Sequence, residues 1–268
     1  MSGEGTWEDH ASWWQAGFTD GADPEYVEQI LPLIEAWLPV RGRVLDVGTG
    51  EGQVARLATA AGLSVVGVDP AWAQVAEASR RGSGPGPGCD GRGGGCDGGG
   101  TGCDGGTGCD GGAPAYARAR ADALPVAGGS FDAVVACLVF EHITDMEAAI
   151  AEVARTLRAG GRFVFLLNHP LLQTPGSGWI DDHILEEQYW RIGPYLVEDT
   201  SLEEVEKGVF ISFVHRPLSR YVNAMTAAGL TLLRMEEPAP PAGFLARAFE
   251  YGQAATIPRL LLLVAERR

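Results

Sequence analysis

The stretch VLDVGTGEGQVA, residues 44–55, decides the fold of this chain. It starts as a short apolar strand, passes through a turn in which Gly48, Gly50 and Gly52 alternate with polar residues, and ends in a run typical of a helix. Glycine permits positive φ angles and a close approach of backbone to ligand, and the following helix points free N–H groups at the turn. A strand, a glycine turn and a helix in this order predict a ligand site at the carboxyl end of a parallel strand.

Strand and helix patterns alternate outward from this stretch. Apolar runs predict strands over residues 44–47, 65–69, 115–118, 131–139, 162–168, 209–215, 230–235 and 260–265. Apolar residues at helical spacing predict helices over 23–38 (kinked or split at Pro32), 53–61, 71–81 and 217–228, and a further helix that Asp145 caps and Gly160-Gly161 ends. The alternation predicts an α/β fold, with a doubly wound and mostly parallel sheet joined by right-handed crossovers.

Composition and charge exclude several classes of protein. The chain has 268 residues, 46% of them hydrophobic and 21% charged, which excludes fibrous and wholly disordered chains. The net charge of −15 repels phosphate backbones and anionic membrane surfaces, so we expect neither a nucleic-acid nor a membrane partner. No apolar run approaches the roughly 20 residues that span a bilayer. The acidic start MSGEGTWEDH lacks the features of a signal peptide, so we expect a cytoplasmic protein.

Residues 82–112 form a low-complexity segment with 17 glycines in 31 residues and four of the five cysteines. It contains no large apolar residue to offset the entropy of ordering, which predicts a disordered loop. Two alternatives stay open: four Cys-Asp steps could bind a thiophilic metal, and residues 99–104 and 105–110 both fit the G-G-x-G-x-D pattern of calcium-binding β-rolls. The wide cysteine spacing argues against zinc, and the repeat period of six argues against a β-roll. We therefore predict no metal site.

The acid that ends the second strand, Asp69, lies 21 residues after Gly48. A carboxylate at that point can accept hydrogen bonds from both hydroxyls of a ribose, so the turn and Asp69 together imply a ligand that contains adenosine. The turn reads G-x-G-x-G, and Gln53 stands where the dinucleotide pattern G-x-G-x-x-G expects its third small residue. This spacing argues against a nicotinamide-dependent oxidoreductase.

Four segments resemble the class I S-adenosylmethionine-dependent methyltransferases, in their small-molecule, ubiquinone-biosynthesis-like branch. They are VLDVGTGEGQVA (44–55), VVGVDP (65–70), ADALPVAGGSFDAVVACLVFEHITD (121–145) and LRAGGRFVF (157–165). The resemblance implies a Rossmann-like class I methyltransferase fold, S-adenosyl-L-methionine as cofactor, and methyl transfer to a small organic acceptor. The alternative is a module that binds the cofactor and regulates a partner without catalysis.

Carried over by position, the resemblance implies a role for each of several residues. Asp46 holds the methionine ammonium, Gly48, Thr49 and Gly50 pass under the methionine moiety, Asp69 and Pro70 lie at the ribose, and Asp122 with Ala123 contacts the adenine amino group. Leu138 and Val139, after the fourth strand, line the pocket.

Methyl transfer from a sulfonium is an in-line displacement, so alignment of the two reactants is the main requirement, and a base is needed only for a protonated acceptor. Imidazole is the natural base near neutral pH. His169, directly after the fifth strand, and His142, in a Glu-His pair, are the candidate catalytic residues. The other histidines, His10, His183 and His215, are weaker candidates.

The chain divides into a helical cap (1–40), a cofactor-binding core (41–168), a substrate-covering insertion (169–216) and a segment that completes the sheet (217–268). Trp13, Trp14 and Phe18 predict either packing of the first helices or a flap over donor and acceptor. Aromatic residues of the insertion predict an acceptor pocket or a minor core: Trp179, Tyr189, Trp190 and Tyr195. The sequence identifies neither the acceptor nor the oligomeric state.

Overall fold

A computed structural model describes residues 7–83, 112–247 and 253–268. Its strands are β1 (Arg43–Val47), β2 (Ser64–Asp69), β3 (Ala115–Arg118), β4 (Phe131–Cys137), β5 (Leu157–Asn168), β6 (Gly178–Asp182), β7 (Glu187–Arg191), β8 (Asp199–Glu206), β9 (Val209–His215), β10 (Leu230–Glu236) and β11 (Leu260–Arg267). Its α-helices are α1 (Trp7–Phe18), α2 (Leu31–Glu35), α3 (Gln53–Ala60), α4 (Trp72–Gly82), α5 (Met146–Thr156), α6 (Leu218–Ala227) and α7 (Ala242–Arg247).

Seven of these strands form one sheet in the order β10-β11-β5-β4-β1-β2-β3. The pairs from β5 to β3 are parallel, whereas β11 runs antiparallel to both of its neighbours. The chain moves outward from β1 through β2 to β3 and then returns to the other side of β1 as β4. The strand order therefore reverses beside β1, where the carboxyl ends of parallel strands leave a crevice. This confirms the predicted doubly wound, mostly parallel sheet.

Apolar side chains cover both faces of the sheet. On one face, α5 and α6 pack through residues such as Ile150, Val153 and Met225, and on the other, α2 and α3 pack through Ile34 and Ala58. The parallel strand β4 is buried on both sides along most of its length, as its continuous apolar sequence predicts. The two layers hold the ends of β1, β2 and β4 rigidly at the crevice.

Three predicted boundaries differ in the structure. The helix predicted over 23–38 is a π-helical turn (Tyr26–Ile30) followed by α2, since Pro32 lacks the N–H that a regular helix needs at that point. Strand β4 ends at Cys137 rather than at residue 139, because Leu138 adopts a left-handed φ of 54°. Helix α5 ends at Thr156 rather than at Gly160-Gly161, and those glycines lie inside β5 at an irregularity of its pairing with β4.

The region after β5 contains two antiparallel ribbons, β6-β7 and β8-β9. The predicted strand over 209–215 is confirmed as β9. Almost all of the glycine- and cysteine-rich segment, residues 84–111, lies outside the described residues, and so do the predictions made for it. Among the described helices, none has the length and apolar character needed to cross a lipid bilayer.

Candidate functional site

A cavity of about 260 Å³ lies at the carboxyl ends of β1, β2 and β4. The glycine turn, the start of α3, the loop of residues 119–122, the loop of residues 137–144 and α1 line it. Ten of the twelve residues singled out from the sequence line this cavity: Asp46, Gly48, Thr49, Gly50, Asp69, Pro70, Asp122, Leu138, Val139 and His142. The remaining two, Ala123 and His169, are not among its lining residues.

The turn after β1 requires glycine for two separate reasons. Gly48, Gly50 and Gly52 all have positive φ angles, of 70°, 54° and 89°. In addition, a Cβ on Gly48 would lie 2.4 Å from a methyl carbon of Val139, and a Cβ on Gly52 would lie 2.5 Å from the Tyr116 hydroxyl. The Gly48 and Thr49 N–H groups donate to the Val68 carbonyl, which fixes the turn against β2. The turn thus forms a rigid floor that a ligand can approach closely.

Asp46 is the buried acid at the base of the turn. Its side chain is enclosed, and the Thr49 hydroxyl donates a hydrogen bond of 2.6 Å to it. Burial raises the pKa of Asp46 to about 7, and the nearby Asp69 adds to this effect while the Thr49 hydrogen bond opposes it. A cation at this end of the cavity would restore the carboxylate and gain a strong partner.

Asp69 ends β2 and faces the same turn. Its two oxygens accept from the Gly50 N–H at 3.0 Å and from the Ala71 N–H at 2.8 Å. Desolvation raises the pKa of Asp69 to about 6, against the effect of these two backbone donors. Each carboxylate oxygen has a second lone pair, so Asp69 can brace the turn and still accept from a ligand hydroxyl.

The first turn of α3 supplies positive potential beside these acids. Gln53 and Val54 line the cavity, and Gly52 caps the helix in a left-handed conformation with no side-chain acceptor from the described residues. The N–H groups of a first helical turn attract an anion. An acid and a helix N-terminus side by side suit an amino acid moiety, whose ammonium and carboxylate carry opposite charges.

Asp122 lines the cavity from the loop after β3. Arg120 binds it through two hydrogen bonds, of 2.9 and 2.6 Å, and this partner lowers the pKa of Asp122. Arg120 is the one lysine or arginine among the lining residues of the described chain, and this acid already pairs with it. The cavity is therefore acidic, since it also contains Asp46, Glu51 and Asp69.

Helix α1 covers the turn from the solvent side. Trp7 and Trp14 line the cavity, and the indole nitrogen of Trp14 would lie 3.8 Å from a Cβ on Gly50. Glu8 accepts hydrogen bonds from the N–H groups of Trp72 and Ala73, so that α1 supplies the N-terminal cap that α4 itself lacks. Of the predicted N-terminal aromatics, Trp14 lines the cavity, whereas Trp13 and Phe18 pack beside it.

His142 lies in a 3₁₀ turn (Phe140–His142) just after β4 and lines the cavity. Its Nδ1 is 2.9 Å from the carbonyl oxygen of Ser212 in β9. A carbonyl only accepts, so Nδ1 carries the proton and Nε2 of the neutral ring is the basic nitrogen. The ring packs edge-on against Trp7 at 4.9 Å, and burial lowers the pKa of His142. The side chain is thus a neutral base at physiological pH.

His169 occupies a different place from the one that its position after β5 suggests. Its backbone N–H donates to the Arg259 carbonyl, so the chain turns toward β11 and away from the crevice beside β1. The Leu171 N–H donates to its Nδ1, and its Nε2 contacts Glu237 at 2.8 Å. Both ring nitrogens are therefore engaged at a buried site, and His169 is not among the residues that line the cavity, so its catalytic role stays a prediction.

The weaker histidine candidates also lie away from the cavity lining. His215 is buried, with Nε2 at 2.8 Å from the Tyr195 carbonyl. The aromatic residues of segment 169–216, all of which the structure describes, are not among the lining residues either. Trp179 and Trp190 pack against each other across β6 and β7 at 5.6 Å, and the Tyr195 hydroxyl accepts from the Leu218 N–H. These contacts favour a packing role over an acceptor pocket, although Tyr189 is 44% exposed.

Sequence reasoning missed several lining residues, among them Trp7, Tyr26, Gln53, Gln74 and Cys137. Gln53 and Cys137 adjoin positions that the motifs single out, so proximity in sequence could have indicated them. Trp7, Tyr26 and Gln74 reach the cavity through the docking of α1, the π-helical turn and α4. No local pattern marks this docking.

Comparison with known proteins agrees with this geometry. A family model described as a methyltransferase domain matches residues 45–165. A curated ubiquinone biosynthesis O-methyltransferase of Rhizobium johnstonii is 30% identical over 135 residues, which cover 50% of this chain and 44% of that protein. The chain thus matches less than half the length of this relative.

A second curated protein, the ubiquinone/menaquinone biosynthesis C-methyltransferase of Methylobacterium nodulans, is 35% identical over 82 residues, 30% of each chain. The crystal structure of an S-adenosylmethionine-dependent methyltransferase from Mesorhizobium loti matches with a TM-score of 0.67 and 27% identity, over 88% of this chain and 96% of that chain. Residues 45–165 of this chain thus match the methyltransferase-domain family, and the described fold is similar to that of a solved S-adenosylmethionine-dependent methyltransferase.

Proposed function

We propose that this protein transfers a methyl group from S-adenosylmethionine to a small organic acceptor. The observation that carries the proposal is the meeting of the glycine turn, Asp46 and Asp69 in one cavity at the reversal of strand order. The residues present fit the cofactor of the family. Because Gly48 has no Cβ, Val139 packs directly against the turn, and Asp46 and Asp69 both line the same cavity.

The proposed binding mode assigns one part of the cofactor to each element. Asp46 accepts from the methionine ammonium, and the first turn of α3 faces the carboxylate, with Gly48, Thr49 and Gly50 beneath. Asp69, with Pro70, holds the ribose hydroxyls. Asp122 lies at the adenine end, and Leu138 and Val139 form an apolar wall. Ala123, which lies outside the lining, has no side-chain role in this proposal.

The acidic lining serves binding rather than the chemical step. The bound cofactor supplies an electrophilic methyl group on a positively charged sulfur. That charge disappears as the methyl group leaves, so a fixed acid stabilises the bound state more than the transition state. Rate enhancement must then come from alignment, which can be worth roughly 7 to 11 kcal/mol when reactants are held in line. Trp7, Trp14 and Tyr26 are the rigid surfaces that can provide it.

We assign the role of general base to His142. Its Nδ1–H is committed to Ser212, its ring is held between Trp7 and Phe213, and Nε2 is the nitrogen left to take a proton from the acceptor. A base of this kind suits an acceptor hydroxyl, which is protonated at neutral pH. We further propose that α1 and the β8-β9 ribbon enclose the acceptor as a cover, and that the protein acts in the cytoplasm on a small molecule.

The experiment that tests the proposal measures binding and transfer separately. Calorimetry with S-adenosylhomocysteine on the wild type, Asp69→Ala and Asp132→Ala tests the site. Asp132 is a matched control because it also accepts a backbone N–H, that of Arg43, but away from the cavity. We expect more than about tenfold weaker binding for Asp69→Ala, or about 1.4 kcal/mol, and unchanged affinity for Asp132→Ala.

Transfer is then tested by incubating the protein with methyl-labelled S-adenosylmethionine and the small-molecule fraction of a cell extract. Labelled product that the wild type forms and His142→Gln forms far more slowly would support the proposal. Tight donor binding without product from any extract would favour a non-catalytic binding module instead. Equal affinities of the two aspartate variants would contradict the ribose assignment.

A further inference from the structure

Arg216 is a buried cation without a carboxylate partner. It follows β9 directly and is 4% exposed, and no acid in residues 7–83, 112–247 or 253–268 forms an ion pair with it. Its guanidinium instead donates to backbone carbonyls, at 2.7 Å to both Ile143 and Thr144 and at 3.4 Å to Phe140. Burying an unpaired charge costs desolvation free energy, so we expect these hydrogen bonds to have a role that offsets this cost.

The three carbonyls belong to the short loop of residues 138–144, which carries His142. This loop starts at Leu138, whose left-handed φ of 54° is unfavourable for a branched side chain, and passes through the 3₁₀ turn. Within the loop, the His142 N–H donates to the Val139 carbonyl and the Ile143 N–H to the Phe140 carbonyl. Arg216 satisfies acceptors on both sides of His142 and so clamps the backbone of the loop.

The same segment of chain also holds the ring of His142. Four residues before Arg216, the Ser212 carbonyl accepts the His142 Nδ1–H at 2.9 Å, and the Phe213 ring packs against the imidazole at 4.8 Å. One segment, β9 and the residue that follows it, therefore contacts both the backbone around His142 and its ring. A small shift of the loop would break the hydrogen bond that selects the tautomer, because such bonds weaken steeply with distance and angle.

We propose that Arg216 is a positioning residue for His142: by binding the carbonyls of Phe140, Ile143 and Thr144 it keeps the imidazole against Ser212, in the tautomer that leaves Nε2 basic. Arg216 does not line the cavity and acts only through the loop. The role of His142 as a base rests on the proposed function. The hydrogen bonds between Arg216 and the loop do not depend on that role, and their effect on His142 can be tested without any acceptor.

Nitrogen-15 NMR of histidine-labelled protein measures the tautomer of each imidazole, because protonated and unprotonated ring nitrogens have well-separated chemical shifts. The structure assigns a tautomer to each ring: Nδ1–H for His142, and Nε2–H for His215, which donates to the Tyr195 carbonyl. His169, which accepts at Nδ1, serves as an internal reference remote from the loop. We expect the wild type to show one dominant tautomer at His142.

The variants are Arg216→Met, Arg216→Lys and the matched control Arg220→Met. Arg220 lies one helical turn further along the chain and forms exposed ion pairs with Glu147 and Glu198. In Arg216→Met we expect His142 to lose its single tautomer and to show exchange-averaged nitrogen shifts, with His169 unchanged. Lysine, which keeps the charge but lacks the planar fork, should give a smaller change, and Arg220→Met none. Arg216→Lys keeps the test available if Arg216→Met does not fold.

An unchanged His142 pattern in both Arg216 variants would overturn the proposal. A change in which all histidine signals move together would overturn it too, because that marks general unfolding and a purely structural role. Calorimetry with S-adenosylhomocysteine separates this inference from the proposed function. Binding within about threefold of wild type in the Arg216 variants, beside an altered His142, supports positioning. Absence of binding in the wild type would defeat the proposed function while the spectroscopic result stands.

Discussion

The floor of the cavity and its cover are attached to the fold by different interactions. The floor, formed by the glycine turn with Asp46 and Asp69, is built into the sheet: β1 pairs with β2 and β4 along its length, and the turn donates backbone hydrogen bonds to Val68. The cover, formed by α1 and the β8-β9 ribbon, is held mainly by side-chain contacts. For example, Glu8 accepts hydrogen bonds from backbone N–H groups of α4, and the Trp13 indole N–H donates to Glu206. These contacts lie at the surface.

This difference separates two tasks that the proposed function requires. A floor fixed by many cooperative backbone bonds is preorganised for one ligand and tolerates little change. A cover fixed by side-chain contacts, of which each exposed one is worth about 1 kcal/mol, should open at lower cost than the floor to admit donor and acceptor. Substitutions in the floor should therefore alter affinity, and substitutions in the cover should alter access.

The largest effect is expected from Gly48→Ala in the floor. The added Cβ would meet Val139 at 2.4 Å and sit on a backbone with a φ of 70°. We expect at least about 100-fold weaker binding of S-adenosylhomocysteine by calorimetry, or about 3 kcal/mol. Gly62→Ala is the matched control, since Gly62 has a φ of 83° with no atom within 4 Å of its Cβ position. Equal losses in the two variants would mean that backbone strain alone matters and that the floor is no tighter than an ordinary turn.

A second effect is expected at Asp46, whose carboxylate should lower the stability of the ligand-free protein and strengthen cofactor binding. Its pKa is raised to about 7, so the folded state holds a proton that the unfolded state releases near pH 4. The free energy of unfolding therefore falls as pH rises from 4 through 7. Asp46→Asn should remove this penalty and stabilise the ligand-free protein at pH 8 by about 2 to 4 kcal/mol, measured by denaturant unfolding. The same variant should bind S-adenosylhomocysteine about tenfold more weakly. Unchanged stability at pH 8 would show that the fold does not raise the pKa of Asp46.

The pH dependence of donor affinity should be smaller and tied to the same acids. Above pH 7 both carboxylates are charged and attract the cationic cofactor, whereas below pH 6 protonation of Asp46 and Asp69 removes that attraction. We expect affinity for S-adenosylmethionine to fall about five- to tenfold from pH 8 to pH 5.5, by calorimetry. The dependence should flatten in Asp46→Asn. A profile that is level in the wild type would count against an ammonium at Asp46.

The smallest effect is expected in the cover, from Glu8→Gln. Glutamine keeps one acceptor for the N–H groups of Trp72 and Ala73 but loses the charge that favours a helix N-terminus, worth about 0.3 to 1 kcal/mol. We expect equilibrium affinity to change less than about threefold, while the dissociation rate of S-adenosylhomocysteine in stopped-flow rises by a similar factor. Glu35→Gln, on α2 and outside the cavity lining, is the control. A loss of affinity as large as that of Gly48→Ala would make α1 part of the floor.

The sequence predicted the floor of the cavity but not its cover. Every strand of the large sheet was predicted to within a few residues, except the early start of β5, because buried parallel strands give continuous apolar runs. The floor residues were predicted from motifs that are local in the chain. The cover was not: Trp7 reaches the cavity only because Glu8 meets α4 across 64 residues of sequence.

The choice of histidine shows the limit most clearly. His169 and His142 both follow parallel strands, and the sequence analysis singled out both as candidate bases, His169 because it comes directly after the fifth strand. The structure separates them through distant partners, since Arg259 and Glu237 engage His169 whereas Ser212 and Trp7 hold His142 at the cavity. The aromatic residues of segment 169–216 were likewise ambiguous from the sequence, and the structure adds a cross-strand contact between Trp179 and Trp190 that no local pattern indicates.

The sequence by itself determined the sheet, the glycine turn and the acids beside it, because a turn of glycines after a buried strand has few conformations and its neighbours in sequence are its neighbours in space. Only the tertiary structure decided which imidazole faces the cavity, which helix covers it and which arginine fixes the loop. Those features depend on contacts between segments far apart in the chain, whose register no local pattern encodes.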